Sequence, residues 1–240
     1  MSASAHLRSF GCPPCWTSTT LCVNYATDRT LTERPPMAAR FVAKQLARPD
    51  GLGGKIIRFL MNRGNARLNK FALDQLVVKS SDRVLEIGFG GGVTLQPLLS
   101  QAQFVQGIDP SVDVIAAARR RFQAEVSAGT ADFQEGSVES LPLPSRAFDK
   151  VLTVNTVYFW SSLEDGLREI RRVLSPGGRI VIGFTPQVRM DRMNMPKDIF
   201  TSRSPNAIAD ALRNAGFAEV EIHDPWGQDE PMVATGVVNE

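Results

Sequence analysis

Residues 83–95 read RVLEIGFGGGVTL. A short apolar run stops at a carboxylate, Glu86, opens into four glycines among the five residues 88–92, and resumes with helix-compatible side chains. In an open parallel sheet, ligands bind beyond the carboxyl ends of the strands, so a bare loop after a buried strand is in the expected place. Gly88, Gly90, Gly91 and Gly92 permit positive φ angles and remove side chains that would hold a ligand off the backbone. A dinucleotide loop wants glycines at its first, third and sixth positions. Counted from Gly88, the sixth position is Val93, and a pyrophosphate has little reason to sit beside an anionic Glu86. A ligand carrying positive charge does.

Outward from this loop, strands and helices alternate. DRVLEIG reads as the first strand, GVTLQPLLSQ as a helix, FVQGID as a second strand, and SVDVIAAARRRFQAEV as one helix with Val112, Ile115, Ala116 and Phe122 inward. ADFQEG and FDKVLTVN give strands three and four. SLEDGLREIRRVL is a helix with Ser162 placed to cap it, SPGG turns the chain, and RIVIGF is the fifth strand. PNAIADALRNAG is a helix closed by Gly216. AEVEIHD and MVATGVV are joined by the short link PWGQDEP, too short for a parallel crossover, so they pair antiparallel. The fold class is α/β: a mainly parallel sheet covered by helices, with one antiparallel strand near its edge.

Upstream, the domain organisation divides into residues 1–36 as a disordered or non-native tail, 37–80 as an N-terminal helical cap, and 81–240 as the main domain. The tail is rich in Ser and Thr and poor in acids, a composition that also fits an organelle transit peptide. All three cysteines, Cys12, Cys15 and Cys22, lie in it, with no fourth ligand at zinc spacing, so no metal is expected. The cap reads as a helix over AARFVAKQLARP and two short helices broken at Arg63-Gly64. The second of these carries Leu68, Phe71, Ala72, Leu76 and Val77 on one face. Lysine and arginine exceed the acids by 27 − 25 = 2, which makes no whole-chain case for nucleic acid. Arg119, Arg120 and Arg121 cannot share one helix face and read as solvated. No apolar run approaches a membrane span. A cytoplasmic location, with no membrane or nucleic-acid partner, is the expectation.

Asp109 ends the second strand, 21 residues beyond Gly88, where a carboxylate accepts hydrogen bonds from both ribose hydroxyls of an adenosine. It could instead cap the helix that follows. VLEIGFGGG, VQGIDPS, QEGSVESLPLPSRAFDKVLTVN and RVLSPGGRIVI stand in the order and spacing that resemble class I S-adenosylmethionine-dependent methyltransferases, the small-molecule branch called type 11, over Asp82 to Phe184. The resemblance implies a seven-stranded, Rossmann-like sheet of order 3-2-1-4-5-7-6 with strand 7 antiparallel and helices on both faces. It places Gly88 and Gly90 against the methionine part of the cofactor with Glu86 supporting that loop. Asp109 would hold the ribose, and Pro110 would lie near the adenine. Ser137 and Val138 match positions at the adenine edge, although many relatives carry Asp where this chain has Ser137. Asn155 matches the site that approaches the methionine amine and the methyl group.

The resemblance therefore implies methyl transfer from S-adenosylmethionine to O, N or C of a small-molecule acceptor. A non-catalytic protein binding the same cofactor is the alternative, with an NAD-dependent oxidoreductase behind it. Tyr158, Phe159 and Trp160 follow Asn155 where an acceptor would enter, and Tyr158, the one with a titratable hydroxyl, is the candidate to touch it. The other side of the choice is that these aromatics pack under the next helix. His223 reads as an edge residue rather than a base. TPQVRMDRMNMPKDIFTSRS, with four basic residues and three methionines, is long for a strand-to-helix link and reads as a lid. Its basic side chains hint at an acidic acceptor.

Overall fold

The computed structural model describes residues 65–193 and 196–239. The tail, its cysteines and the cap sequence before residue 65 lie outside the described residues. The order of elements is α1 (Ala66–Leu76), β1 (Arg83–Ile87), α2 (Leu95–Leu99), β2 (Phe104–Asp109), α3 (Val112–Arg121), α4 (Gln123–Ser127), β3 (Ala131–Glu135) and β4 (Phe148–Val154). It continues with α5 (Leu163–Val173), β5 (Leu174–Phe184), α6 (Gln187–Arg192), α7 (Pro205–Asn214), β6 (Phe217–His223) and β7 (Met232–Val238). The sheet order is β3-β2-β1-β4-β5-β7-β6, and β7 runs antiparallel to both of its neighbours. This is the expected topology.

The alternation of a strand's side chains sorts the core into two halves. Leu85 and Ile87 join Leu167, Ile170 and Leu212 on the side covered by α5 and α7. Val84, Val105 and Leu152 join Leu68, Leu98, Val114 and Phe122 on the side covered by α1, α2 and α3. α1, read from sequence as part of a cap, thus shares a core with the sheet, packing across β4, β5 and β7. Ser162 caps α5 as expected, its hydroxyl accepting from the Asp165 N–H at 3.1 Å.

Three local expectations change. The helix read over SVDVIAAARRRFQAEV breaks at Phe122 (φ −111°, ψ 35°), which buries its ring against Phe133 at a centroid distance of 5.9 Å. Val112 is not inward but 58% exposed: Ser111 caps the helix, and the buried stripe passes through Val114, Ile115 and Ala118. Val77 leaves the buried face of α1 because it is the C-cap, in the left-handed region at φ 52°. Between β4 and β5, Leu174 pairs with Phe148 and regular pairing resumes only at Arg179 opposite Lys150, so SPGG bulges out of the ladder.

At the β3 margin, Thr130 C=O accepts from Val105 N–H on the β2 side at 3.0 Å. Carbonyl directions alternate along a strand, so the Phe133 carbonyl, three residues on, faces outward. Arg119 covers it, Nε and Nη2 donating at 2.9 and 2.7 Å, while Nη2 also pairs with Asp132 at 3.0 Å.

Candidate functional site

The strand order reverses at β1, which has β2 on one side and β4 on the other. The loops leaving these three strands surround a cavity of about 240 Å³. Its inner wall is Glu86, the last-but-one residue of β1, 3% exposed. Thr94, at the entry to α2, donates its hydroxyl to Glu86 Oε1. Oε2 is buried without a hydrogen-bond partner among the described residues. Burial pushes this carboxyl up to about 8; the Thr94 hydrogen bond opposes the shift and the Asp109 charge adds to it.

The glycine loop is held from both sides. Gly88 N–H donates to Ile108 C=O at 2.7 Å, and Gly90 N–H donates to Asp109 Oδ2 at 3.0 Å. Gly88 sits at φ +69°, and a Cβ added there would overlap the Thr156 methyl. Phe89 turns inward, where the absence of a Cβ at Gly107 lets its ring lie on β2 beside Phe133, 5.5 Å between centroids. Asp109 does not cap α3. Its Oδ1 accepts from Ser111 N–H at 3.0 Å, and Ser111 is the cap, accepting from Val114 N–H at 3.4 Å. Pro110 follows on the cavity wall.

After β3, Ser137 and Val138 line the cavity together with Glu139. Ser137 donates its hydroxyl to Glu139 Oε2, while Oε1 accepts from Ser161 N–H and Oγ at 2.7 and 2.9 Å. Partial burial raises the Glu139 carboxyl, but the hydrogen bonds from Ser137 and Ser161 outweigh it and hold the group below its ordinary value. A carboxylate thus stands two residues beyond Ser137, beside the position where the resemblance leads one to expect an Asp.

Asn155 follows the last residue of β4; its N–H donates to Gly183 C=O at 2.8 Å and its φ is +57°. Asn155, Thr156, Phe159 and Trp160 line the cavity, but Tyr158 does not. Tyr158 is buried behind Asn155, donating its hydroxyl to Asn155 Oδ1 at 3.1 Å and accepting from Thr185 N–H. Burial pushes the phenol up to about 12, with the Thr185 hydrogen bonds opposing. Tyr158, expected from sequence to touch an acceptor, therefore touches Asn155 instead and does not line the cavity.

Sequence reading also missed Asn65 and Asn69, which line the cavity from the first turn of α1, and Thr94, Thr156 and Glu139. The signal for the asparagines was their i, i+4 spacing, which puts both on one helix face; Asn65 makes no side-chain cap bond. The long link after β5 contributes no described residue to the cavity. Met190 and Phe200 are buried in the core, and Arg189 and Arg192 pair with Glu230 and Asp229. The charged side chains lining the cavity among the described residues are Glu86, Asp109 and Glu139, so its basic residues give no support to an acidic acceptor. His223 lies at the sheet edge, 3.3 Å from Thr235 Oγ1 and against Phe71. No group of three metal-ligating side chains occurs among the described residues, and no described helix is long and apolar enough to cross a membrane.

A carboxylate-flanked glycine loop at the switch point of a 3-2-1-4-5-7-6 sheet defines a methyltransferase-like architecture. Residues 85–182 match the methyltransferase domain family. The chain is 32% identical over 169 residues to the uncharacterized methyltransferase YdaC of Bacillus subtilis (strain 168), covering 70% of this chain and 88% of that protein. It is 32% identical over 127 residues to demethylmenaquinone methyltransferase of Thermus thermophilus, covering 52% of this chain and 57% of the relative. Among solved structures, a SAM-dependent methyltransferase of Thermotoga maritima, described as a possible histamine N-methyltransferase, shares the fold with a TM-score of 0.62 at 23% identity. That match covers 78% of this chain and 95% of the other. The chain belongs to the class I S-adenosylmethionine-dependent methyltransferases.

Proposed function

We propose that this enzyme moves the methyl group of S-adenosylmethionine to a small-molecule acceptor by in-line displacement. The observation that carries the assignment of the site is the buried Oε2 of Glu86 on the wall of the cavity, without a hydrogen-bond partner among the described residues. An uncompensated buried carboxyl oxygen is costly unless a donor meets it, and an amino-acid ammonium is such a donor. Glu86 then faces the methionine end, and the turn through Gly88 and Gly90 follows it closely. Asp109 holds the ribose hydroxyls, exchanging some of its present N–H partners for them. Pro110, Ser137 and Val138 meet the adenine, with Glu139 lending negative charge to the Ser137 hydroxyl. The main chain of Asn155 approaches the methionine amine.

When bound, the cofactor supplies an electrophilic methyl carbon on a sulfonium. The protein's part is to align the acceptor's lone pair behind that carbon and to exclude water. No base is required unless the acceptor is protonated at working pH. The relative named for demethylmenaquinone supports a small-molecule acceptor. Methyl-labelled S-adenosylmethionine incubated with fractionated small metabolites is expected to label one fraction in an enzyme-dependent manner. Binding of the cofactor with label in no fraction would favour a non-catalytic cofactor-binding protein.

A further inference from the structure

Tyr158 and Asn155 form a chain of hydrogen bonds whose polarity can be read without seeing a proton. Thr185 N–H can only donate, so the Tyr158 oxygen accepts there. Its single proton is donated to Asn155 Oδ1, 3.1 Å away. The phenol stays neutral throughout the ordinary pH range, since burial pushes it up to about 12. Tyr158 is pinned at its own backbone as well: its C=O accepts from Thr201 N–H at 2.9 Å. Asn155 has little freedom to turn, with its N–H on Gly183 and its backbone in the left-handed region. Its carbonyl oxygen is engaged by Tyr158, so the part of the amide left for the cavity that Asn155 lines is Nδ2 with its two N–H bonds.

Amide donors turned towards this cavity would not suit the cofactor's cationic groups. They suit an oxygen. We infer that Tyr158 is a positioning residue that turns the Asn155 amide N–H bonds into the cavity, and that the methyl acceptor is held there through a carbonyl or carboxylate oxygen. Phe159 lines the same space, braced by Phe200 at a centroid distance of 4.9 Å, which gives a planar acceptor a surface to lie on. The inference rests on the proposed cofactor site, because it assigns to the acceptor what the cofactor leaves.

The test uses the full chain labelled with ¹⁵N-asparagine and saturated with S-adenosylhomocysteine. Benzoate and benzamide serve as oxygen probes and benzylamine as a donor probe of similar shape. The Asn155 side-chain amide signals are assigned by their loss in Asn155→Asp. Benzoate and benzamide are expected to shift these signals, benzylamine is not, and Tyr158→Phe should weaken benzoate by about tenfold while leaving S-adenosylhomocysteine affinity within about twofold. If Tyr158→Phe does not fold, Asn155→Asp carries the same expectation for benzoate. A shift with benzylamine but neither oxygen probe, no shift with any probe, or unchanged benzoate affinity in the variant would overturn the inference. Failure of S-adenosylhomocysteine to bind the native chain is a different result, which removes the cofactor reading; the probes are then titrated into the ligand-free protein, with the same outcomes deciding the amide's orientation.

Discussion

At Glu86, folding and the proposed ligand binding pull in opposite directions. The folded protein without ligand raises its carboxyl from 4.5 to about 8 by burial, so the native state keeps a proton that the unfolded chain releases. Stability from this group is complete below pH 4.5, falls as pH rises towards about 8, and is level beyond it. Urea midpoints measured across that window should decline with pH, and Glu86→Gln should flatten the decline. Binding an ammonium needs the anion instead. S-adenosylhomocysteine affinity should therefore rise between about pH 6 and 8, by up to about tenfold per unit, with proton release seen by calorimetry in buffers of different ionisation enthalpy. Affinity independent of pH in the native protein would take Glu86 out of the site. Asp109 already accepts from the N–H groups of Gly90 and Ser111. Asp109→Ala is expected to cost about 1.5–3 kcal/mol of cofactor affinity, the scale of hydrogen bonds to a charged group; unchanged affinity by calorimetry would mean the ribose lies elsewhere.

Among elements, the glycine loop and the segment after β4 are fitted to each other. Gly88→Ala would bring both a left-handed backbone penalty and an overlap with Thr156, together about 2–4 kcal/mol. Thr156→Ser in the same chain removes the overlapping methyl and should recover part of that loss in urea unfolding; no recovery would place the strain in the backbone. Nothing in GFGGGVTL announces Thr156, which lies in another motif. Elements built on local chemistry were readable: Ser162 caps α5 because a hydroxyl three residues before a free N–H does so anywhere. Elements decided by distant partners were not. The helix break at Phe122 follows from the fit of its ring on Phe133, and an uninterrupted helical pattern carries no trace of that. Of three consecutive aromatics, Phe159 and Trp160 face the cavity while Tyr158 turns away to Thr185, a choice made by residues 27 positions along the chain.

For the molecule as a whole, the topology was legible because βα alternation and one short final link leave few ways to connect seven strands. The cavity-lining stretches Glu86–Gly90, Asp109–Pro110 and Ser137–Val138 were legible because each is contiguous. The rest of the wall was not, since Asn65, Asn69 and Glu139 come from two separate segments that only the folded sheet brings together. Ligand binding is also felt at this scale. S-adenosylhomocysteine at about 100 times its Kd should add about 2.7 kcal/mol and raise the Tm by about 5–11 °C, while NAD at the same concentration should not; the reverse pattern would favour the oxidoreductase. At the far side of the sheet, Arg119 closes over the outward Phe133 carbonyl. An incoming strand from another copy would have to displace a charged fork already bonded to that oxygen and to Asp132, so the guanidinium acts as a stopper that discourages neighbouring chains from zipping onto this border.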